Sequence, residues 1–364
     1  MLLRLAKTVL GFAALAVFGL IFLEGIYSVA RWHRADTSVT HDTYALLFGS
    51  KAQNNLPLAS KADIEQLIPK MLSAGVGMGN VPYTELATGR AAINEIVPEG
   101  CRASRANVAK FMTYIRTDAY NLFDPPSLFY DRSATLDAEL QHFIDTYGMP
   151  KAEFTGNDKN QRVTLPTVEV PDKVLVAGDS VAAGAMIGDS ETISSQLQQQ
   201  DQGHQYINLG VSGATAGDTI CRLGAAAKKY HGHINRLIYV YTENDFDKSL
   251  PFGRPGEVVS WLKNYAAAEN IQQVTIVFAP YIYNIIPNLT RFKGSKGSVH
   301  PYYAEEREEL KNLTLSAGFN YLSIADVAAK ETKARHTDFA AFALFVDHAH
   351  LSPYGVAKLV EQLR

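Results

Sequence analysis

Three residue types that cooperate in ester hydrolysis are spaced along the second half of the 364-residue chain. Ser180 ends a Gly-Asp-Ser tripeptide after an apolar run, and Asp347 lies three residues before His350. A serine hydroxyl is a weak nucleophile, but an imidazole can take its proton and return it to a leaving group. A nearby carboxylate fixes the imidazole tautomer and stabilises the imidazolium. The spacing therefore favours His350 as the base and Asp347 as its partner, whereas His348 is expected to point elsewhere.

A second Gly-Asp-Ser tripeptide ends at Ser190. It follows no predicted strand, and either Asp189 or Ser190 is expected to cap a helix that starts at Glu191 or Thr192. Position therefore separates the two tripeptides. Ser180 is predicted to hold its hydroxyl at the edge of a sheet, and Ser190 is predicted to be structural.

Two further segments follow predicted strands and carry groups that can stabilise negative charge. Gly210 lies within the glycine-containing run 208–213, and Asn244 follows the next strand. A glycine lets a backbone N–H approach a substrate closely, and an asparagine amide donates a hydrogen bond without adding charge. An oxyanion hole needs such donors, each contributing about 3 kcal/mol to the rate. Gly210 and Asn244 are therefore candidates for this role.

Short β-branched runs alternate with amphipathic stretches from residue 168 onward. The predicted strands are Lys173–Ala177, Gln205–Leu209, Arg236–Tyr241, Gln273–Ala279 and Asn320–Ile324. The predicted helices are Thr192–Gln200, Gly217–Tyr230, Pro255–Glu269, Ala304–Ala317 and Pro353–Leu363. This alternation predicts an α/β fold, with a mostly parallel five-stranded sheet covered by helices on both faces. Ligands bind outside the carboxyl ends of strands in such sheets, which is where the candidate residues fall.

The ordered motifs resemble the four blocks of the SGNH (GDSL) hydrolase superfamily. The blocks are Gly178-Asp179-Ser180, Gly210 with Asn208 and Gly213, Asn244-Asp245, and Asp347-x-x-His350. The resemblance covers about residues 168–364 and implies a three-layer α/β/α sandwich of the flavodoxin-like kind. It implies a catalytic triad of Ser180, His350 and Asp347. The oxyanion hole would use the backbone N–H groups of Ser180 and Gly210 and the side chain of Asn244. Neither a metal ion nor a cofactor is required by this mechanism.

The third block departs from the pattern of the superfamily. Its usual first residue is glycine, which is replaced here by Thr242, and Glu243 precedes Asn244. Because Asn244 is kept, activity is expected to survive. Glu243 is expected to add a carboxylate near the site and to affect substrate choice or the protonation of His350.

The resemblance implies an extracytoplasmic serine esterase that removes acetyl or other acyl groups from a surface carbohydrate or a lipid. Two alternatives stay open. The same site would serve an O-acyltransferase if a sugar hydroxyl replaced water, or the domain would be a catalytically silent scaffold or glycan-binding partner of polysaccharide-assembly proteins. A net charge of −3 gives no excess of basic residues, so nucleic acid is not an expected partner.

The N-terminal segment at residues 8–30 is apolar apart from Glu24 and is long enough to cross a bilayer. It is predicted to be a single transmembrane anchor, with a cleaved signal peptide as the alternative. Arg4 and Lys7 on one flank are matched by Arg31 and Arg34 on the other, so charge does not fix the orientation. The resemblance places the catalytic domain in the periplasm of a bacterium, anchored in the inner membrane.

The region 31–167 is interpreted as a mixed α+β accessory region ahead of the hydrolase domain at 168–364. Helical periodicity occurs in Ser60–Ser73 and Ala134–Tyr147, and the polar stretch Thr155–Arg162 is interpreted as a linker. Cys101 and Cys221 lie far apart and outside any CxxC pair, which argues against a zinc site. They either form one disulfide or remain two buried thiols.

Overall fold

The structure is a computed structural model, which describes residues 57–79, 93–117, 126–148, 151–285, 303–335 and 338–364. Pro57–Arg364 form one compact unit. The predicted membrane anchor at residues 8–30 lies outside the described residues. Within the described ranges, no helix combines the length and the apolar character that a bilayer crossing requires.

The first half of the compact unit is built on an antiparallel sheet. Its elements in the described ranges are α1 (Lys61–Ser73), β1 (Gly77–Gly79), β2 (Asn94–Ile96), β3 (Arg102–Ser104), β4 (Ala109–Tyr114), β5 (Ser127–Asp131), α2 (Ala138–Tyr147) and β6 (Ala152–Thr155). Four strands form a sheet in the order β1-β5-β4-β6, and β2 pairs with β3 as a separate hairpin. Both helices that the sequence predicts are present. Helix α2 begins at Ala138 because Asp137 caps it and accepts a hydrogen bond from the Leu140 N–H.

The second half has the five-stranded parallel sheet that the sequence predicts. Its elements are β7 (Lys173–Gly178), α3 (Ser180–Ala183), α4 (Ile193–Gln200), β8 (Gln205–Asn208), α5 (Ala216–Tyr230), β9 (Ile234–Thr242), α6 (Pro255–Ala268), β10 (Gln273–Ala279), α7 (Ala304–Ser316), β11 (Asn320–Ser323), α8 (Ile324–Arg335) and α9 (Pro353–Leu363). The strand order is β11-β10-β9-β7-β8, and every neighbouring pair is parallel. All five strands therefore present their carboxyl ends at one edge.

Both faces of the parallel sheet are covered. Successive strand residues point to opposite faces, so Leu175 and Ala177 of β7 pack into a core cluster with α5, α6 and α7. Val174 and Val176 point the other way and are also buried. Buried apolar residues of α4 and α9 lie outside that cluster, and these two helices pack against each other. A strand that is apolar on both faces is typical of a sheet between two helical layers.

The prediction of one helix cap was wrong, and one helix was not predicted. The cap of α4 is Thr192, whose hydroxyl oxygen accepts a 3.2 Å hydrogen bond from the Ser195 N–H, and neither Asp189 nor Ser190 caps it. Helix α8 was not predicted, because its sequence begins directly at the end of β11 with no turn residue between them. The apolar residue Ile324 is the first residue of the helix and not the last of the strand.

The stretch Thr155–Arg162 is partly packed into the fold, since Gly156, Gln161 and Arg162 are buried whereas Asp158 and Lys159 are exposed. The Arg162 side chain is fully buried and donates to the backbone oxygens of Ala183, Glu153 and Ile187. The polar composition suggested a solvated segment, but the Arg162 guanidinium at its end has internal partners. The division into domains at residues 31–167 and 168–364 stays a prediction.

The two cysteines form a disulfide between the first and second halves of the unit. Cys101 precedes β3 and Cys221 lies within α5, with a Cα–Cα distance of 5.7 Å. Of the two alternatives for these residues, the structure has the disulfide. The bond fixes the β2–β3 hairpin against the helix that follows the run 208–213.

Candidate active site

Ser180 lies where strand β7, between β8 and β9 in the parallel sheet, ends. Asp179 follows the strand and accepts a 2.9 Å hydrogen bond from the Val181 N–H, which caps the short helix α3. This sharp turn places Ser180 as the first residue of α3 at the carboxyl edge of the sheet. Its side chain is partly exposed there, whereas Asp179 is buried. The hydroxyl is therefore accessible from the edge where a parallel sheet binds ligands.

The structure brings Ser180, His350 and Asp347 together in one hydrogen-bonded row. The Ser180 Oγ lies 2.8 Å from His350 Nε2, and His350 Nδ1 lies 2.5 Å from Asp347 Oδ2. The other carboxylate oxygen accepts the backbone N–H groups of Ala349 and His350 at 2.8 and 2.7 Å. These two bonds form the tight turn that the Asp-x-x-His spacing suggested. His348 instead packs edge-on against the ring of Tyr281.

The environment of Asp347 keeps its carboxyl group ionised. Burial alone would raise the pKa of Asp347, but the charge and hydrogen bond of His350 oppose it. His348 and Tyr114 act in the same direction, and the net result is a pKa well below the usual range. An ionised Asp347 can stabilise the imidazolium that forms when His350 takes a proton.

Gly210 does not have the role that the sequence suggested. Its N–H donates a 3.0 Å hydrogen bond to the Asn208 side-chain oxygen, so it is not directed at a substrate. A side chain at this position would lie 2.1 Å from the Ala183 nitrogen and 2.5 Å from the Ala182 carbonyl carbon. Glycine is therefore needed at position 210 for close packing against α3, and the prediction of an oxyanion donor there was wrong.

Gly213 is the better candidate for the oxyanion hole. Its φ of 71° lies in the left-handed region, which glycine adopts without strain. The residue is partly exposed, whereas Gly210 is buried. Among the described residues, neither the Gly213 N–H nor the Ser180 N–H has a hydrogen-bond acceptor. Two backbone donors are thus available, one at the candidate nucleophile Ser180 and one on the neighbouring loop.

The Asn244 side chain is the candidate for a third donor. Its amide nitrogen lies 3.4 Å from the Ala214 carbonyl oxygen, a long contact that leaves it able to donate to a substrate. The Thr242 hydroxyl contacts the Asn244 side-chain oxygen and donates a 2.8 Å hydrogen bond to Asp179 Oδ2. Thr242 therefore ties the end of β9 to the turn that carries Ser180, a contact that glycine could not make.

The Glu243 carboxylate is held by two side chains outside the candidate triad. Its two carboxylate oxygens accept hydrogen bonds from Arg307 and from Asn284, the latter at 2.6 Å. Burial raises the pKa of Glu243, and the opposing effect of Arg307 is smaller. Because both oxygens are occupied and the side chain is buried, the residue braces the turn after β9. These contacts give no support to the expectation that Glu243 affects substrate choice or the protonation of His350.

We expect Asn244→Ala to lower kcat by about 100- to 1000-fold, the usual cost of removing one oxyanion donor. The Michaelis constant should change little, because the donor acts on charge that develops only in the transition state. Steady-state kinetics on a small activated ester measures both constants. An increase in KM at unchanged kcat would show instead that Asn244 binds the ground state of the substrate.

Residues from the first half of the unit also reach the site, and no sequence motif pointed to them. The Asn94 amide donates a 2.7 Å hydrogen bond to the Ser212 carbonyl, and the Arg102 guanidinium donates a 2.6 Å bond to the Gly213 carbonyl. The Ser212 carbonyl and the Gly213 N–H belong to one peptide group and point in opposite directions. The β2–β3 hairpin therefore fixes the direction of the candidate oxyanion donor. Tyr114 donates a hydrogen bond to Asp347.

No protein-family model and no curated protein matches the chain. Several solved structures are similar to about half of the chain. A lipolytic protein of the G-D-S-L family from Veillonella parvula is 13% identical, with 52% of this chain and 94% of that chain covered and a TM-score of 0.39. A carbohydrate acetylesterase family member from Sinorhizobium meliloti is 16% identical, with coverages of 52% and 94% and a TM-score of 0.36. An acetylxylan esterase from Geobacillus stearothermophilus is also 16% identical, with coverages of 54% and 94% and a TM-score of 0.38. At this level of similarity, the geometry of the site is the basis for assigning a function.

Proposed function

We propose that the chain is a serine esterase of the SGNH type that removes acetyl or other acyl groups from a carbohydrate. The observation that carries this proposal is the row of contacts from Ser180 Oγ to His350 Nε2 and from His350 Nδ1 to Asp347, at 2.8 and 2.5 Å. The row lies at the carboxyl edge of a parallel sheet, beside donors that can hold an oxyanion. These are the two parts that acyl transfer to a serine requires.

The first half of the reaction acylates Ser180. The hydroxyl oxygen attacks the ester carbonyl carbon while its proton passes to His350 Nε2, and Asp347 stabilises the resulting imidazolium. The carbonyl oxygen becomes an oxyanion, which accepts hydrogen bonds from the N–H groups of Ser180 and Gly213 and the amide of Asn244. Collapse of this intermediate breaks the ester C–O bond, and His350 returns its proton to the departing alcohol.

The second half regenerates the enzyme. Water attacks the acyl carbon on Ser180 and gives a proton to His350, through the same oxyanion donors. The second intermediate breaks its bond to the serine oxygen and releases the carboxylic acid, and the proton on His350 returns to Ser180. If a sugar hydroxyl took the place of water, the same steps would transfer the acyl group to that sugar.

The proposed location is outside the cytoplasm, with residues 8–30 as the anchor in the inner membrane. The disulfide between Cys101 and Cys221 supports an oxidising compartment, because such bonds are rare in the cytosol of mesophiles. Protease treatment of intact spheroplasts that express the chain tests the orientation. Degradation of the region after residue 57 is expected, and its protection would contradict the proposed location.

The substrate class is tested by release of the acid. We expect the full chain to release acetate from acetylated xylan and from p-nitrophenyl acetate, and to cleave p-nitrophenyl esters of long fatty acids more slowly. The Ser180→Ala variant, which lacks the proposed nucleophile, measures the background rate of ester hydrolysis. Preference for long acyl chains would contradict the carbohydrate assignment and favour a lipid substrate. Acetylation of an added sugar acceptor, with little free acetate, would favour the acyltransferase alternative.

A further inference from the structure

Tyr114 is a buried residue that connects the antiparallel sheet to the candidate triad. It is the last residue of β4, and its side chain is only 4% exposed. Its hydroxyl donates a hydrogen bond to Asp347 Oδ2, although 233 positions separate the two residues in sequence. The tyrosine thus reaches the triad from the half of the unit to which no catalytic motif was assigned.

The oxygen that Tyr114 contacts is the one that orients the imidazole. Asp347 Oδ2 accepts from both the Tyr114 hydroxyl and His350 Nδ1, while Oδ1 accepts the two backbone N–H groups of the turn. The carboxylate therefore has four donors, two on each oxygen. Removing the hydroxyl would leave Oδ2 with the imidazole alone and would free the carboxylate to shift on its χ torsions.

We propose that Tyr114 is a positioning residue of the active site, which holds Asp347 for His350 and sets how strongly the carboxylate attracts the imidazole proton. This inference rests on the proposed function. It gives the antiparallel sheet a role in the reaction, because β4 delivers this hydroxyl. Tyr114 does not touch the reacting atoms and acts through Asp347.

The hydrogen bond has a definite effect on the pH dependence. A donor to a carboxylate withdraws negative charge from it and lowers its pKa, as Tyr114 does for Asp347. In Tyr114→Phe the carboxylate is more basic and stabilises the protonated imidazole more strongly. Since a general base must be unprotonated, the acid limb of the pH profile of kcat/KM should move to higher pH. A purely structural role would lower stability or activity without moving this limb.

The test compares Tyr114→Phe with Tyr130→Phe in the full chain. Tyr130 lies on β5 of the same sheet and is similarly buried, but its hydroxyl has no hydrogen-bond partner among the described residues. We expect Tyr114→Phe to lower kcat/KM on p-nitrophenyl acetate by about tenfold and to move the acid limb up by about half a pH unit. Tyr130→Phe should change neither. Equal profiles for Tyr114→Phe and wild type would overturn the proposal.

A double-mutant cycle separates the contact from a general effect on the fold. Asp347→Asn removes the charge to which Tyr114 donates, so adding Tyr114→Phe to that variant should reduce kcat/KM by less than about twofold. Additive losses would show that Tyr114 acts independently of Asp347 and would overturn the proposal.

A measurement without substrate keeps this inference distinct from the proposed function. NMR titration of histidine-labelled chain, with the His350 signal assigned from His350→Gln, follows the imidazole directly. The midpoint should rise in Tyr114→Phe and stay constant in Tyr130→Phe, even if no ester is turned over. An unmoved midpoint in Tyr114→Phe contradicts the inference, whereas a moved midpoint in a protein without esterase activity contradicts only the proposed function.

Discussion

Ser180→Ala and His350→Ala should each lower kcat for ester hydrolysis by at least about 10⁴-fold. The two groups lie 2.8 Å apart and act in the same proton transfer, so loss of either removes the activated nucleophile. The double variant should therefore be no slower than the slower single variant. Initial rates on p-nitrophenyl acetate measure all three. A further large loss in the double variant would show that the two residues act separately.

Ser190→Ala is the matched control for the nucleophile. It removes the serine of the other Gly-Asp-Ser tripeptide, whose side chain is exposed and which lies in a 3₁₀ turn before α4. Activity should stay within about twofold of wild type, because surface changes of this kind are nearly neutral. If Ser190→Ala abolished activity and Ser180→Ala did not, the nucleophile would have been assigned to the wrong tripeptide.

Arg162→Met should lower the free energy of unfolding by about 3–5 kcal/mol, the usual cost of removing one partner from a buried ion pair. The guanidinium lies against the ring of Phe154, and its Nε donates to Asp189 Oδ1 at 3.1 Å. Its terminal nitrogens donate to four backbone oxygens. Those acceptors belong to Glu153, Ala183, Gly184 and Ile187. Methionine would fill the space but would leave a buried carboxylate and four carbonyls without this donor.

Urea titration followed by circular dichroism measures this loss. Arg162→Lys should recover only part of the lost free energy of unfolding, since one ammonium group cannot replace the five donors of a planar guanidinium. Arg254→Met is the control, because Arg254 is exposed and its side chain makes no capping hydrogen bond to α6. The free energy of unfolding of this variant should stay within about 0.5 kcal/mol of wild type. A stability of Arg162→Met equal to that of the control would contradict the account of this residue.

The parallel sheet could be predicted from the sequence because its strands and helices repeat a strong local pattern. The run Gln273–Ala279 was predicted with the bounds the structure has, and Pro255 at the start of α6 marks a helix start that sequence shows directly. The antiparallel sheet is different. Strand β1 pairs with β5, and β4 pairs with β6, so these pairings join strands that are not consecutive in the chain. Short strands with such partners carry little local signal.

The candidate site likewise has residues that could be predicted from the sequence and residues that could not. The Asp347 and His350 pair could be predicted because one turn holds both residues. The choice between Gly210 and Gly213 could not, because it depends on which way each peptide N–H points, and the two residues lie on one loop. Tyr114 had no signal at all, since its partner comes from the opposite end of the chain and no motif surrounds it.

The most direct test of the central claim is covalent labelling of the full chain with a fluorophosphonate, which reacts with activated serine hydroxyls. Digestion before aspartate residues separates the two tripeptides, because one peptide then spans residues 179–188 and the next spans 189–200. Mass spectrometry should find the label on Ser180 in the wild type, and no label on that peptide in His350→Ala. Label on Ser190, or a folded wild type that takes no label, would contradict the assignment of Ser180 as an activated nucleophile.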